Sequence, residues 1–140
     1  MTSLPKALAD PLHSLLGSDR FLTDTDSLHQ FGRDWTRFAE PAPSGVVLPK
    51  TAEEVQRIVA LAREHRMAIV PSGGRTGLSG GAVAARGELV LALDRMNWIG
   101  EVNTIDRSLT CGPGAITASI QQAAEAAELM YPVDFASSGS

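Results

Sequence analysis

Residues 68–81 read AIVPSGGRTGLSGG, and this stretch decides the fold. The apolar run Ala68–Val70 predicts a strand, and the nine positions that begin at Gly73 hold five glycines. Because glycine has no Cβ, a glycine-rich backbone can approach an anion closely and point several amides at it. The stretch therefore predicts a strand that leads into an anion-binding loop, for which a diphosphate is the natural guest.

Two well-known phosphate-binding loops differ from this one. The loop has no GxGxxG spacing and no Lys followed by Ser or Thr, so neither a Rossmann loop nor a P-loop is predicted. Residues 82–87 carry no helix signal, so the amides would hold the anion without a helix N-terminus. Side-chain donors could come from Arg75, Thr76 and Ser79. The glycines alone would equally suit a mobile surface turn.

A strand and a helix precede the glycine loop. Residues 45–48 form a short apolar run that ends at Pro49. Thr51 and Glu54 then have the spacing of a capping box, and an apolar face follows over residues 55–62. With the strand at residues 68–70, this order predicts two parallel strands joined by a helix.

The order of elements after the loop is similar. Residues 88–93 and 98–102 predict strands, and residues 109–111 lead into Gly112-Pro113-Gly114. Apolar spacing from Ile116 to Ala127 predicts a second helix, and residues 129–131 resemble the start of a strand. The chain closes with small, donor-rich residues after Pro132. Three loops beside strand ends could thus surround one extended phosphorylated ligand.

The first forty residues are less informative. Leucines at spacings of three and four between Leu4 and Leu16 predict a short amphipathic helix, interrupted or started at Pro11, which we interpret as a peripheral arm. Arg33 and Asp34 beside Trp35 suit an ion-paired surface turn. Prolines 41 and 43 favour a boundary near Glu40.

Composition limits the class of protein. The chain has 140 residues, a formal net charge of −4 and 44% hydrophobic residues, which suits one folded domain. Its acidity argues against a nucleic-acid binder, and no apolar run is long enough to span a bilayer. The single cysteine, Cys111, favours a reducing compartment and a packing role.

Several stretches, taken in order, resemble one family. They are VVLPKTAEEV, IVPSGGRTGLSGGA, LDRMN, GPGA and YPVDFASSGS, and they cover about residues 41–140. They are similar to the N-terminal flavin-binding region of FAD-linked oxidases of the vanillyl-alcohol oxidase type. Within that type they resemble most the flavin-dependent D-2-hydroxyacid dehydrogenases, which act on D-lactate, glycolate or D-2-hydroxyglutarate. The reductase of cell-wall precursor synthesis has the same fold, but the LDRMN and YPVDFASSGS stretches disfavour it.

The resemblance implies a fold and a cofactor. The fold class is α+β, with two small strand-helix-strand subdomains, the second incomplete. Residues 1–40 would be an N-terminal helical arm, and residues 41–140 a truncated FAD-binding domain. The cofactor-binding positions implied are Pro71, Ser72, Gly73, Gly74, Arg75, Thr76, Gly77, Leu78 and Ser79 in the loop, Gly114 before the second helix, and Pro132, Asp134, Ala136, Ser137 and Ser138 facing the flavin.

Departures from the family refine these expectations. Relatives that attach FAD covalently from this loop use a His where this chain has Arg75-Thr76, so noncovalent FAD is expected. Glu128 stands where a helix-ending glycine is common. In the family a His base and carboxylate-binding arginines follow the ASSGS stretch, so no catalytic residue is expected here. His13, His29 and His65 fit helix ends or the surface and form no metal-binding pattern.

Two functions remain open at this point. The first is the FAD-binding portion of an oxidoreductase that converts a D-2-hydroxyacid to the 2-oxoacid, inactive as 140 residues alone, with the substrate domain outside this chain. The second is an inactive fragment or interaction module that keeps the fold without FAD. Either would self-associate through an exposed sheet edge. We expect a cytoplasmic location, peripheral to the inner membrane in the full-length context.

Overall fold

The computed structural model describes residues 4–36, 39–137 and 139. In chain order, it contains α1 Lys6–Leu16, β1 Phe21–Leu22, α2 Thr25–Phe31, β2 Gly45–Val47, α3 Ala52–Glu64, β3 Ile69–Ser72, β4 Leu89–Ala92 and α4 Thr117–Ala126. The predicted α+β class is confirmed. No helix in these ranges is long and apolar enough to cross a membrane.

The four strands form one sheet in the order β1-β2-β4-β3. β1 is antiparallel to β2, whereas β2, β4 and β3 are parallel to one another. The predicted parallel arrangement of β2 and β3 is therefore confirmed, although β4 lies between them. Because the three strands run the same way, their carboxyl ends meet at one edge of the sheet.

Both faces of the sheet are covered, as the alternation of side chains along its strands requires. On one face, Val47, Leu89 and Leu91 pack against α1 and α3. On the other face, Val46, Val90 and Ala92 pack with Leu28 of α2 and with Ala84. The central strand β4 is buried along its whole length.

The N-terminal helix is part of this core. α1 runs through Pro11 without a break, and Leu8 and Leu12 have no exposed surface. The expectation of a peripheral arm is therefore wrong, because these leucines contribute to the cluster that seals the sheet. The boundary near residue 40 stays a prediction.

The predicted capping box at the start of α3 is present in a modified form. Thr51 Oγ1 accepts a hydrogen bond from the Glu54 amide at 3.2 Å. The Glu54 carboxylate reaches back to the amide of Lys50 at 2.7 Å and also binds Arg20 at 2.7 Å. Glu54 thus joins the first turn of α3 to the segment that leads into β1.

The second half of the chain is less regular than the sequence predicts. In place of the strand predicted at residues 98–102, residues 98–112 form an irregular antiparallel hairpin with bridges at Ile99–Cys111 and Asn103–Ser108. Residues 129–131 are not a strand. α4 forms as predicted, but none of its residues is buried.

Candidate functional site

The glycine loop leaves the sheet at the carboxyl ends of its parallel strands. In open parallel sheets, ligands bind beyond the carboxyl ends of the strands. Residues 73–81 follow the end of β3, and Asp94 follows the neighbouring strand β4 by two residues. The sequence prediction of a strand leading into the loop is confirmed.

The first part of the loop offers unused backbone donors. No amide of residues 73–79 donates a hydrogen bond to another described residue. A Cβ on Gly73 or Gly81 would meet nothing within 4 Å, so both glycines border open space. Amides of this kind can hold an anion without help from a helix.

Arg75 ties the loop to β4. Its Nη2 and Nη1 atoms lie 2.7 and 3.0 Å from Oδ1 and Oδ2 of Asp94, and its guanidinium lies 4.9 Å from the centre of the Phe31 ring. Nη1 also lies 3.5 Å from Oγ of Ser72, which is fully buried. Arg75 adopts a left-handed backbone conformation, with φ +59°. The Arg75 guanidinium therefore makes its polar contacts within the protein.

The segment before residue 37 holds the other end of the loop. The Trp35 amide donates to the Gly77 carbonyl at 3.1 Å, and the Ala84 amide donates to the Gly32 carbonyl at 2.9 Å. Asp34, which is 8% exposed, accepts a 2.7 Å hydrogen bond from the Thr36 amide through Oδ1.

The charge on Asp34 is stabilised where it is buried. Desolvation alone would raise the pKa of Asp34, but hydrogen bonding by Thr36 and by the amides of Ala82 and Gly80 leaves that pKa below its ordinary value. The Thr36 amide binds Oδ1, whereas Oδ2 is buried without a hydrogen-bond partner among the described residues, as is Oγ1 of Thr36. The expected ion pair with Arg33 is wrong, because the ion pairs of the described residues do not include Asp34.

A cleft of about 540 Å³ lies between this segment and the loop. Its volume is typical of small-molecule sites. It is lined by His29, Gln30, Arg33, Asp34, Trp35, Thr36, Ala39, Glu40, Pro41, Gly74 and Arg75. Sequence reasoning missed most of these residues. The Asp24 N-cap of α2, which accepts from the Ser27 amide, was the local signal for the helix that brings His29 and Gln30 here.

The second glycine pair lies close to the same edge. A Cβ on Gly114 would collide with the Leu93 carbonyl, and the Gly114 amide donates to the Met96 carbonyl at 3.0 Å. Gly112 likewise packs against the Met96 backbone. These glycines permit close backbone packing beside Asp94, and the Gly114 amide is already in use.

The other predicted cofactor-binding positions differ in their exposure to solvent. Pro71, Gly77, Leu78 and Ser79 are exposed, whereas Thr76 is half-buried. Pro132, Asp134 and Ala136 are exposed, and their stretch is joined to α4 where Gln121 Nε2 donates to the Val133 carbonyl at 3.1 Å. No hydrogen bond links residues 132–136 to the glycine loop. Ser137 is half-buried, and Ser138 lies outside the described residues.

The histidines occupy helix ends, as predicted. His13 and His29 lie in the last turns of their helices, and His65 caps α3. Cys111 is half-buried in the irregular hairpin. Among the described residues, no three metal-binding side chains form a group.

Comparisons with known proteins agree with this geometry. The family described as FAD binding domain matches residues 43–140. The chain is 55% identical over 134 residues to D-2-hydroxyglutarate dehydrogenase of Stutzerimonas stutzeri (strain A1501), covering 96% of this chain and 29% of that protein. It is 32% identical over 131 residues to glycolate oxidase subunit GlcD of Bacillus subtilis (strain 168), covering 94% of this chain and 28% of that protein.

A solved structure of p-cresol methylhydroxylase with substrate bound has a similar fold. The TM-score is 0.80 at 23% identity, with 96% of this chain and 28% of that chain covered. This likeness shows the fold alone. The chain spans less than a third of the length of each of these three proteins.

Proposed function

We propose a function from one premise: this chain belongs to the FAD binding domain family. We infer that it is the FAD-binding portion of a flavin-dependent oxidoreductase that oxidises a D-2-hydroxyacid to the 2-oxoacid. The substrate class is taken from relatives named D-2-hydroxyglutarate dehydrogenase and glycolate oxidase subunit. When bound, FAD supplies the acceptor for the two electrons of such an oxidation.

The glycine loop is the observation that carries this proposal. The amides of residues 73–79, which pair with no other described residue, stand at the carboxyl edge of a parallel sheet, beside a cleft of about 540 Å³. This donor set suits a diphosphate, which needs several hydrogen bonds at close range. The stretch from Pro71 to Ser79 is therefore proposed to line the cofactor, with the amides of Gly73 and Gly74 at the centre of the diphosphate site.

We propose that FAD is held without a covalent bond. The side chain at position 75 is an arginine bonded to Asp94, and the next is a threonine. Neither is a nucleophile that attaches a flavin from this loop in the family described above. Pro132, Asp134, Ala136, Ser137 and Ser138 are proposed to face the flavin, and Gly114 to border the cofactor through its Cα or carbonyl.

The catalytic residues are proposed to lie in polypeptide outside these 140 residues. The similar dehydrogenases are more than three times as long as the stretch matched here. The groups that would take the hydroxyl proton and bind the substrate carboxylate are assigned to that remaining length. The cytoplasmic location, peripheral to the inner membrane in the full-length context, is part of the same proposal and is supported by the lone cysteine.

A flavin titration tests the cofactor assignment. The purified chain is mixed with FAD and desalted, and its absorbance spectrum and tryptophan fluorescence are recorded. Retained flavin absorbance and quenching are expected. Trp35 lines the cleft and Trp98 lies in the hairpin, so Trp35→Phe should remove most of the quenching and Trp98→Phe should leave it. A chain that retains no flavin and shows no quenching would contradict independent FAD binding.

The lack of buried residues in α4 favours a second candidate. No residue of α4 is buried, and Ile116, Met130, Tyr131 and Phe135 nearby are exposed apolar side chains. Exposed apolar surface of this kind marks interaction sites. An interaction module without FAD, which includes self-association, would show no flavin retention but a concentration-dependent mass in sedimentation experiments.

A further inference from the structure

We propose that Asp34 is a positioning residue whose buried carboxylate serves as an internal anion for the far half of the glycine loop, residues 77–82, and leaves the near half for the cofactor diphosphate. This inference rests on the proposed function. It divides one glycine-rich stretch into two anion-facing parts, one occupied by the protein itself and the other open.

The position of the carboxylate is the first support. Asp34 is 8% exposed, and a Cβ on Gly77 would lie 3.5 Å from its Oδ2 atom. The adjacent Thr36 hydroxyl would lie 3.8 Å from a Cβ on Gly80, which has φ +76°. Both buried, unpartnered atoms therefore face glycines of the far half.

The backbone around this carboxylate is the second support. Trp35 donates to the Gly77 carbonyl at 3.1 Å, and Ala84 donates to the Gly32 carbonyl at 2.9 Å, so hydrogen bonds flank the contact on both sides. A buried charge is retained only where dipoles or charges compensate it. Asp34 has no ion pair among the described residues, so the Thr36 amide, which donates to Oδ1 at 2.7 Å, is its hydrogen-bonded dipole, and the nearby amides of Gly80 and Ala82 add to the compensation.

The near half of the loop differs in this respect. Its amides at residues 73–76 face no carboxylate of the described residues, because Asp94 is engaged by the guanidinium of Arg75. A Cβ on Gly73 would meet nothing within 4 Å. The near half thus keeps both the donors and the space that a diphosphate requires.

Chemical rescue separates this role from a merely structural one. Asp34→Ala leaves a small cavity beside the loop amides, and formate has the size and charge to refill it. In Asp34→Ala we expect the amides of Trp35 and Ala84 to exchange hydrogen about tenfold faster or more, and FAD to bind about tenfold more weakly or worse, from the loss of a hydrogen-bonded charge. Added sodium formate should reverse both changes, with sodium chloride at equal concentration as the salt control.

Two further variants complete the test. Asp10→Asn, a charge change at an exposed site on α1, should leave exchange, FAD affinity and formate response as in the wild type. Asp34→Asn, which fills the cavity, should weaken FAD binding without responding to formate. If Asp34→Ala does not fold, the comparison of Asp34→Asn with Asp10→Asn decides the matter.

The outcomes distinguish this proposal from the proposed function. Hydrogen exchange is measured without FAD, so it tests the role of Asp34 even if the wild-type chain binds no flavin. Absence of flavin binding by the wild-type chain would contradict only the cofactor assignment. Unchanged exchange in both Asp34 variants would overturn the positioning role. Tighter FAD binding by Asp34→Asn would also overturn it, because the carboxylate would then simply repel the diphosphate.

Discussion

The guanidinium of Arg75 lies 2.7 and 3.0 Å from the two carboxylate oxygens of Asp94, and this paired contact fixes the glycine loop to the end of the central strand. The loop would otherwise be free to move at Arg75, because its amides make no hydrogen bonds within the described protein there. A bidentate pair of this geometry constrains orientation as well as distance. The loop is therefore shaped before any ligand arrives.

Breaking this pair should weaken cofactor binding more than it weakens the fold. We expect Asp94→Asn to raise the Kd for FAD about fivefold to tenfold, since an unanchored loop must be ordered on binding. The free energy of unfolding should fall by about 1 kcal/mol, because the pair is partly exposed. Fluorescence titration and urea unfolding provide the two values.

A double-mutant cycle controls this prediction. We expect a coupling free energy of about 1 kcal/mol from the cycle of Arg75→Gln, Asp94→Asn and the double variant. Arg95 lies beside the pair but is exposed, so Arg95→Gln should bind FAD as the wild type does. Additive effects of the two substitutions would contradict the anchoring role.

Acid should destabilise the chain through Glu54. Burial would raise the pKa of Glu54, but the hydrogen bond and charge of Arg20 and the Lys50 amide together hold it below the ordinary value of 4.5. A depressed pKa in the folded state means that the stabilisation is present above pH 4.5 and is lost as the pH falls through the lowered value. Unfolding midpoints measured from pH 6 to about pH 3 should therefore decline, and Glu54→Gln should flatten part of that decline.

The matched control for Glu54 is Glu64→Gln, which removes an exposed carboxylate from the other end of the same helix. It should reproduce the wild-type dependence on pH. At pH 7, Glu54→Gln should cost about 1 to 2 kcal/mol of unfolding free energy. A wild-type curve that stays level below pH 4.5 would show that the Arg20 contact contributes no net stability.

Glycine at two helix ends should stabilise the fold. Arg66 and Glu128 follow α3 and α4 in left-handed conformations, with φ +52° and +56°. The Met67 and Leu129 amides close these turns on the carbonyls of Ala62 and Ala124. Because a Cβ is unfavourable at such φ values, Arg66→Gly and Glu128→Gly should each add about 0.5 to 1 kcal/mol.

Thermal unfolding measures this gain as a rise in Tm of roughly 2–4 °C per substitution. The corresponding alanine variants keep the Cβ, so they control for loss of the long side chains and should not raise Tm. Equal Tm values for the glycine and alanine variants would mean that backbone strain is not the cause.

The same two positions illustrate what the sequence allowed and what it did not. The family resemblance identified Glu128 as standing where a helix-ending glycine is common, whereas nothing in the sequence marked Arg66. The strands β2, β3 and β4 and the capping of α3 were also predictable, since hydrophobic runs and capping residues are local signals. The pairing order was not, because β4 enters between β2 and β3 from farther along the chain.

The candidate site was likewise only partly predictable from the sequence. The glycine loop was evident from composition, but its two anchors depend on residues that are distant in sequence. Asp94 lies 19 positions after Arg75, and β2, α3 and β3 lie between Asp34 and the loop. Asp34 in isolation resembled a surface residue, and only the fold buries it. The peripheral-arm interpretation of α1 failed for a related reason, because leucine spacing predicts an apolar face without indicating how deeply that face is buried.

Glycine-to-alanine substitutions distinguish a glycine that leaves room for a ligand from a glycine that allows close backbone packing. A Cβ on Gly73 meets open space, so Gly73→Ala should change the unfolding free energy by less than about 0.5 kcal/mol. The added methyl would stand where the proposed diphosphate approaches the amides, and the Kd for FAD should rise about tenfold or more. A Cβ on Gly114 would collide with the Leu93 carbonyl, so Gly114→Ala should cost about 2 kcal/mol or more with or without FAD.

Urea unfolding with and without FAD, paired with flavin titration, measures both effects in the same samples. Gly81→Ala is the matched control, because its Cβ also meets nothing within 4 Å but Gly81 lies in the far half of the loop, outside residues 73–76. It should change neither value. If Gly73→Ala bound FAD as tightly as the wild type, the diphosphate would not approach the near half of the loop, and the assignment of residues 73–76 to the cofactor would fail. If Gly114→Ala kept full stability, the backbone at Gly114 could move away from the Leu93 carbonyl, and close backbone packing would not be the reason for this glycine.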